Sequence, residues 1–315
     1  MTMKMKLKRM GYFMMITIIL ISVAMFNNAY VQGAEQSLQW SIEADKNAYY
    51  PGEPVLLTLS IKNSGTQDEK VNFGADGIEA FSFEISDSHG INKAKGDKIQ
   101  RFGMSRLGTL AIPVGNTAQK KIVLNQWCST LLEPGQYHVV CNVEYRLRSE
   151  SIKKEDSEIY KAGPLHKTQL ELDIQIINMD SPKFKEILET LVSFEIKPEA
   201  QSKGEWLVYR EIAREMLAFT ESELAVPYQF QLLRVEQYTW RKRDIINSLV
   251  KSGTPEAANG LVEIIEAPSI YIEDVKQNVI DGVYRLRETG NAEIVAATED
   301  FVTKYKRPVL GKPID

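Results

Sequence analysis

Between Leu38 and about Asn178, apolar and polar residues alternate with a period of two. Leu38, Trp40, Ile42 and Ala44 alternate with polar neighbours, as do Val55, Leu57, Leu59 and Ile61, then Phe81, Phe83 and Ile85. Tyr137, Val139, Cys141, Val143 and Tyr145 repeat the pattern, and Leu170, Leu172, Ile174 and Ile176 close it. Successive strand side chains point to opposite faces, so each run predicts a strand with one buried face. Turn chemistry separates the runs: Tyr50-Pro51-Gly52-Glu53, Asn63-Ser64-Gly65, Asp87-Ser88-His89-Gly90 and Glu133-Pro134-Gly135. Short strands of this kind, with no helical pattern among them, predict an antiparallel β-sandwich over 35–179.

At Asp180-Ser181-Pro182 the period changes. Ser followed by Pro is an N-cap and first-turn signal. Phe184, Ile187, Leu188 and Leu191 form one helical stripe, and Leu207, Ile212, Met216 and Phe219 belong to a second helix. An internal repeat follows. Ile246, Leu249 and Gly253 recur 37 residues later as Val283, Leu286 and Gly290, and Ala258 and Ile265 recur as Val295 and Val302. A period near 37, with Gly ending each helix pair, lies in the range of helical solenoids. A last helix, from Asn291 to Tyr305, caps the stack. One α-helical domain is therefore expected over 180–306, followed by a tail over 307–315.

Two stretches carry resemblances. Ser41 to Asn63 (SIEADKNAYYPGEPVLLTLSIKN) resembles the opening of bacterial immunoglobulin-like domains, and Leu132 to Tyr145 (LEPGQYHVVCNVEY) resembles a late strand of such domains. Tyr137 after Pro-Gly is similar to a tyrosine corner, although Cys141 follows it by four residues where the antibody pattern has two. The resemblance implies an immunoglobulin-like fold and no activity. Ala225 to Gly253 (AVPYQFQLLRVEQYTWRKRDIINSLVKSG) resembles a HEAT repeat. Pro227 stands near the start of its first helix, and Arg241 or Arg243 opens its second. The unit from Thr254 to Gly290 is looser, because EAPSIYIED lengthens its internal turn and the usual second-helix Arg is absent.

The first 34 residues add a location. Lys4, Lys6, Lys8 and Arg9 precede an apolar run from Tyr12 to Phe26, and small or polar residues lead to Gly33-Ala34. This is the layout of a signal peptide. A spanning helix needs about 20 residues, so the run suits cleavage better than an anchor. Cleavage is expected after Gly33 or Ala34, with Ala29 as the second choice. Removal takes four basic and no acidic residues, leaving 34 basic against 42 acidic, a net charge of −8 where the full chain has −4. An acidic body is a poor general nucleic-acid binder, since phosphate affinity comes mainly from Lys and Arg. The body is expected to be soluble and exported, to a periplasmic, cell-envelope or extracellular site.

Candidate chemistry is sparse. Walker loops, dinucleotide glycine motifs, G-x-S-x-G and H-E-x-x-H are all missing from the sequence. Ser151-x-x-Lys154 and Ser248-x-x-Lys251 match S-x-x-K, without the companion motifs of penicillin-recognising enzymes. His89, His138 and His166 fall on separate elements and read as surface residues. Asp87-Ser88-His89-Gly90 has the look of an acidic metal loop, but lacks the distal Glu of an EF-hand, and reads as a turn. Glu263 with Glu266, and Glu171 with Asp173, read as solvated faces. Tyr49-Tyr50 and Trp127 read as packing residues rather than a carbohydrate platform. By strand parity Cys128 and Cys141 both face the core. Either a Cys128–Cys141 disulfide or two buried thiols fits an exported chain. No cofactor or metal is expected.

The surface singled out for binding lies on the repeats. Arg241, Asp244, Ser248 and Lys251 share one helix face, and Asn278, Asp281, Arg285 and Glu288 hold the same positions 37 residues on. Second helices of such repeats line concave grooves that take protein segments. The charged loop from Ser149 to Pro164 is a further candidate. These features predict a non-enzymatic protein-binding or scaffold protein whose partner is another protein. A protease-inhibitor-like sandwich and an accessory or hydrolase-type enzyme without recognisable motifs are the alternatives.

Overall fold

The computed structural model describes residues 37–74, 78–94, 109–147, 151–154, 157–160, 163–193, 203–266 and 272–307, with side chains of 151–160 and 203–206 excepted. The signal-like segment lies outside the described residues. Strands come first: β1 (Leu38–Ala44), β2 (Ala48–Tyr49), β3 (Leu56–Asn63), β4 (Glu69–Asn72), β5 (Phe81–Asp87), β6 (Thr109–Ile112), β7 (Thr117–Val123), β8 (Gly135–Leu147), β9 (Ser151–Lys154), β10 (Ser157–Tyr160) and β11 (Leu165–Ile176). Among the described residues eight α-helices follow: α1 (Ser181–Ser193), α2 (Lys203–Ala218), α3 (Val226–Val235), α4 (Thr239–Ser252), α5 (Pro255–Glu266), α6 (Lys276–Arg287), α7 (Ala292–Ala297) and α8 (Glu299–Lys304).

β1, β3 and β7 form one antiparallel sheet. In the larger sheet β8 pairs with β11 along its whole length, and its other edge is shared by β5 and β4, with β6 beyond β4. One pair departs from the antiparallel expectation: β2 joins β11 in parallel through Ala48–Gln175 and Tyr49–Ile176. The alternating residues of β1, β3, β5, β8 and β11 converge on one core that also holds Trp127 and Cys128. Full burial of a Leu, Ile or Phe contributes roughly 1.5–3 kcal/mol, so this face sets the register of every strand. The turn before β8 is closed by the Tyr137 hydroxyl, which donates to the Glu133 carbonyl at 2.9 Å. The charged connection 149–164 carries a short hairpin, β9 against β10.

The helices build a second core. Phe184, Leu188 and Leu191 bury the predicted stripe of α1. Asp180, rather than Ser181, caps that helix, accepting from the Lys183 N–H at 3.2 Å. On α2 the buried face is Ala213, Met216 and Leu217, and Leu207 is 39% exposed, so the predicted stripe is rotated at its start. Helices α2, α4 and α6 pack side by side as one layer, and α3, α5 and α7 as another. Gly253 and Gly290 end α4 and α6 in the left-handed region, at φ +63° and +74°. A glycine there lets the chain reverse without a Cβ clash. The expected last helix is broken at Thr298 into α7 and α8. The Thr298 hydroxyl donates to the Ile294 carbonyl at 2.7 Å, which the Thr298 N–H also reaches, and Arg287 Nη1 competes for the Val295 carbonyl at 2.9 Å.

The two cores meet at the Tyr50-Pro51-Gly52-Glu53 turn. β3 presents Leu57 to the sheet core and Leu56 to the helical one, and β7 likewise divides Ile122 from Val123. Tyr50 packs edge-on against Phe184 at 6.1 Å. Gly52 and Glu221 approach backbone to backbone, with Glu221 N–H donating to the Gly52 carbonyl at 3.1 Å. A Cβ on Gly52 would lie 2.3 Å from the Glu221 carbonyl oxygen, and φ is +77°, so this contact requires glycine. Gln126 Nε2 donates to Glu215 at 2.7 Å across the same junction.

Candidate functional site

Two of the eight residues of the predicted binding stripe are buried, and the other six are half-buried or exposed. On α4, Arg241 and Ser248 are buried. Arg241 Nη1 donates to Glu236 at 3.0 Å and Nη2 donates to Glu211 at 2.9 Å, with Arg214 3.8 Å from Glu236. Glu236 also accepts the Gln237 and Tyr238 N–H groups at 2.8 and 2.9 Å. Burial opposes the charge on Arg241, but Glu236 and Glu211 outweigh it and raise its pKa. Ser248 donates to the Thr220 carbonyl at 2.6 Å and accepts from Gln229 Nε2 at 2.9 Å. These two residues knit α4 to α2 and α3, and neither is presented to a ligand. That corrects the expectation for Arg241 and Ser248. Helical periodicity placed them on a polar face, but α2, the turn at Thr220 and α3 cover that face.

The rest of the stripe is half-buried or exposed. Asp244 and Asn278 are half-buried. Lys251 pairs with Glu221, the residue that meets Gly52. Arg285 Nη1 donates to Asn247 at 2.8 Å, joining α6 to α4. Asp281 and Glu288 both pair with Arg307, from the segment after α8. The result is a ladder of three separate polar contacts across the layer: Glu221 with Lys251, Asn247 with Arg285, and Arg307 with both Asp281 and Glu288. Sequence reasoning did not find Asn247, Glu221 or Arg307. Each comes from a different turn or element, and only Asn247 carries a signal, lying four residues before Lys251 on the same helix.

A neighbouring cluster sits where α4 begins. Lys242 is buried and pairs with Asp274 at 2.8 Å, while Thr239 donates to the same carboxylate. Burial alone would raise the pKa of Asp274, but the Lys242 and Thr239 bonds prevail and lower it.

The other candidates lie elsewhere in the fold. Cys128 and Cys141 are free and buried, so the disulfide alternative is not formed. Cys128 closes a short 3-10 turn with its sulfur toward the Leu124 carbonyl, whereas Cys141 lies mid-strand opposite Leu170 and Phe83. Burial pushes the Cys141 thiol pKa far up, which keeps it protonated. Asp87 caps its own turn, accepting from the His89 and Ile91 N–H groups at 2.9 and 3.0 Å, and the Ile91 bond leads in lowering its pKa. Lys251 and Ser248 have separate partners, and the side chains of Ser151 and Lys154 lie outside those described. His138 is exposed between Asp173 at 2.9 Å and Glu171 at 3.7 Å, His166 stacks on Tyr145 at 5.4 Å, and His89 is exposed. Glu263 and Glu266 pair with Arg234 and Lys304 rather than with each other. Trp127 packs on Phe83 in the core, and buried Tyr49 donates to Asp45 at 2.6 Å. Among the described residues, no group of three or more His, Cys, Asp or Glu is placed to hold a metal ion, and no helix is long and apolar enough to cross a membrane.

No protein-family model and no curated protein matches the chain. Solved structures give distant likenesses. A structural-genomics target, SoR45, is 17% identical over 46% of this chain and 90% of its own, with a TM-score of 0.25. The sporulation control protein Spo0M of Bacillus subtilis is 15% identical over 50% of this chain and 55% of its own, with a TM-score of 0.23. The Y1175G mutant of Salmonella alpha-2-macroglobulin is 9% identical over 88% of this chain and 23% of its own, also with a TM-score of 0.23. At these scores the likenesses carry no argument about architecture or activity.

Proposed function

We propose that this chain is an exported protein-binding or scaffold protein, in which an immunoglobulin-like sandwich supports a HEAT-type helical layer that receives a partner protein. The observation that carries this reading is the polar ladder on the layer of α4 and α6. It is formed by side chains on two helices packed side by side, and stacked repeats build extended surfaces that bind partners. The Tyr137 hydroxyl bond to Glu133 supports the immunoglobulin-like reading of the strands. The repeated left-handed Gly253 and Gly290 support the repeat reading of the helices. Export rests on the basic, apolar and small-residue succession of the first 34 residues.

Cross-linking in the native compartment tests the binding reading. The Lys251→Ala/Arg285→Ala double variant is expected to capture at least ~5-fold less of the partner than the parent chain, in keeping with loss of two interfacial charges. Equal capture by both chains rejects this surface. N-terminal sequencing of the accumulated protein tests export, with a first residue of Ala34 or Glu35 expected. A chain that still begins at Met1 and stays inside the cell rejects it.

A further inference from the structure

Part of the α6 stripe already holds a ligand supplied by the chain itself. Beyond α8, Arg307 turns back over α6. Its Nε donates to Asp281 Oδ1 at 3.1 Å, its Nη1 donates to Glu288, and its guanidinium carbon lies 5.8 Å from the centre of the Tyr284 ring. Asp281, Tyr284 and Glu288 are spaced i, i+3, i+7 and so share one side of α6 and of the Glu288 cap that follows it. The Tyr284 hydroxyl secures the incoming main chain, lying 2.8 Å from the Tyr305 carbonyl and 3.3 Å from that of Val302.

Two carboxylates flanking an aromatic ring match a guanidinium. Its planar fork serves two acceptors at once, while its flat face is drawn to the ring. The Asp281 side chain is 13% exposed, that of Arg307 43% and that of Glu288 58%, so Asp281 is the most buried member of the contact. Solvent-exposed ion pairs add little net stability, so this occupant is exchangeable.

We propose that the Asp281–Tyr284–Glu288 face is a receptor for arginine-bearing extended peptide segments, and that Arg307 is an autoinhibitory occupant displaced when a partner's arginine enters. The proposal rests on the binding reading above and names the chemistry its partner carries. Because a tethered occupant competes at high local concentration, removing it raises the apparent affinity for any external segment.

The test uses a labelled peptide with the sequence of residues 306–313 (KRPVLGKP), followed by fluorescence anisotropy against the full exported chain. Arg307→Ala is expected to bind the peptide about 10-fold tighter than the parent chain, as removal of an internal competitor requires. Arg307→Ala/Asp281→Asn is expected to lose that gain. A peptide with Lys in place of its single Arg is expected to bind at least ~5-fold more weakly, since an ammonium cannot serve both carboxylates as a fork. Equal affinity in parent and Arg307→Ala chains overturns the proposal, as does binding that survives Asp281→Asn. Arg307→Lys, which keeps the charge and loses the fork, is a second variant should Arg307→Ala fold poorly. It is expected to show a smaller gain of the same sign, and no gain overturns the proposal. If the peptide does not bind while cross-linking still depends on Lys251 and Arg285, the autoinhibitory contact falls and the binding reading stands. The converse outcome removes the cross-linked surface alone.

Discussion

Helices α4 and α6 occupy equivalent positions 37 residues apart and use them in opposite ways. Their apolar faces agree: Ile246 and Leu249 on α4, and Val283 and Leu286 on α6, are all fully or almost fully buried. Their polar faces do not. Arg241 and Ser248 are sealed against α2 and α3, while the equivalent Asn278 and Arg285 remain accessible. The difference lies in the neighbours. α4 is covered by α2 and by the loop carrying Glu236, whereas the equivalent stripe of α6 meets Asn247 of α4 through Arg285 and the segment bearing Arg307 through Asp281 and Glu288. A repeat in sequence therefore repeats the inner packing, and the ends of the stack decide whether a polar residue becomes a fastener or a contact.

The largest effect expected from breaking this comparison is at Arg241. Arg241→Ala leaves Glu236 buried with its nearest cation gone, and is expected to cost about 3–5 kcal/mol. Asn278→Ala, at the equivalent position on α6, is expected to stay within ~0.5 kcal/mol, as accessible positions do. Urea unfolding of the two variants measures the contrast, and equal losses would remove it.

The junction comes next. Gly52→Ala places a methyl against the Glu221 carbonyl in a left-handed conformation, at an expected cost of roughly 2–3 kcal/mol. Because Glu221 also holds Lys251, this variant is expected to disturb the α4 end of the ladder and leave the Asn247–Arg285 contact in place. Amide hydrogen exchange that accelerates equally in α4 and α6 would contradict that ordering.

Ser248→Ala removes the donor to the Thr220 carbonyl and an acceptor for Gln229, and is expected to cost about 1–2 kcal/mol. Arg285→Ala, its counterpart, is expected to cost less than about 0.5 kcal/mol. The smallest effect is a pH dependence. Asp274 is held below the usual carboxylate range in the folded state, so its contribution is fully present above the unfolded value of about 3.9 and is lost as pH falls through its lower folded value. The stability difference between the parent chain and Asp274→Asn is expected to be constant from pH 7 to pH 5 and to shrink below about pH 4. A difference that grows on acidification would reverse the assignment.

Much of the architecture was legible in the order of residues. Period-two runs marked β1, β3, β5, β8 and β11, because one buried face tolerates no slip in register. The short strands β2, β4 and β6 were not legible, since two to four residues carry too few alternations to stand out. Helical periodicity located the apolar faces of α1, α4 and α6, and the glycines that end α4 and α6. It could not see that Thr298 breaks the last helix, because the competing hydrogen bonds come partly from Arg287 on a different helix. Two of the eight stripe residues, Arg241 and Ser248, lie inside for a related reason. Helical spacing separates a polar face from an apolar one, but it does not say what covers the polar face.

The sequence by itself determined the succession of strands and helices, the inward face of each and the internal 37-residue repeat, because these follow from periodicities that any buried face imposes. Tertiary structure alone decided that the Tyr50–Glu53 turn joins the two cores and that Arg241 and Ser248 lie inside. It also decided that Cys128 and Cys141 remain apart and that Arg307 occupies the α6 stripe. Each of these depends on which distant segment arrives at a surface, and that is set by the packing of whole elements rather than by the spacing of residues within one.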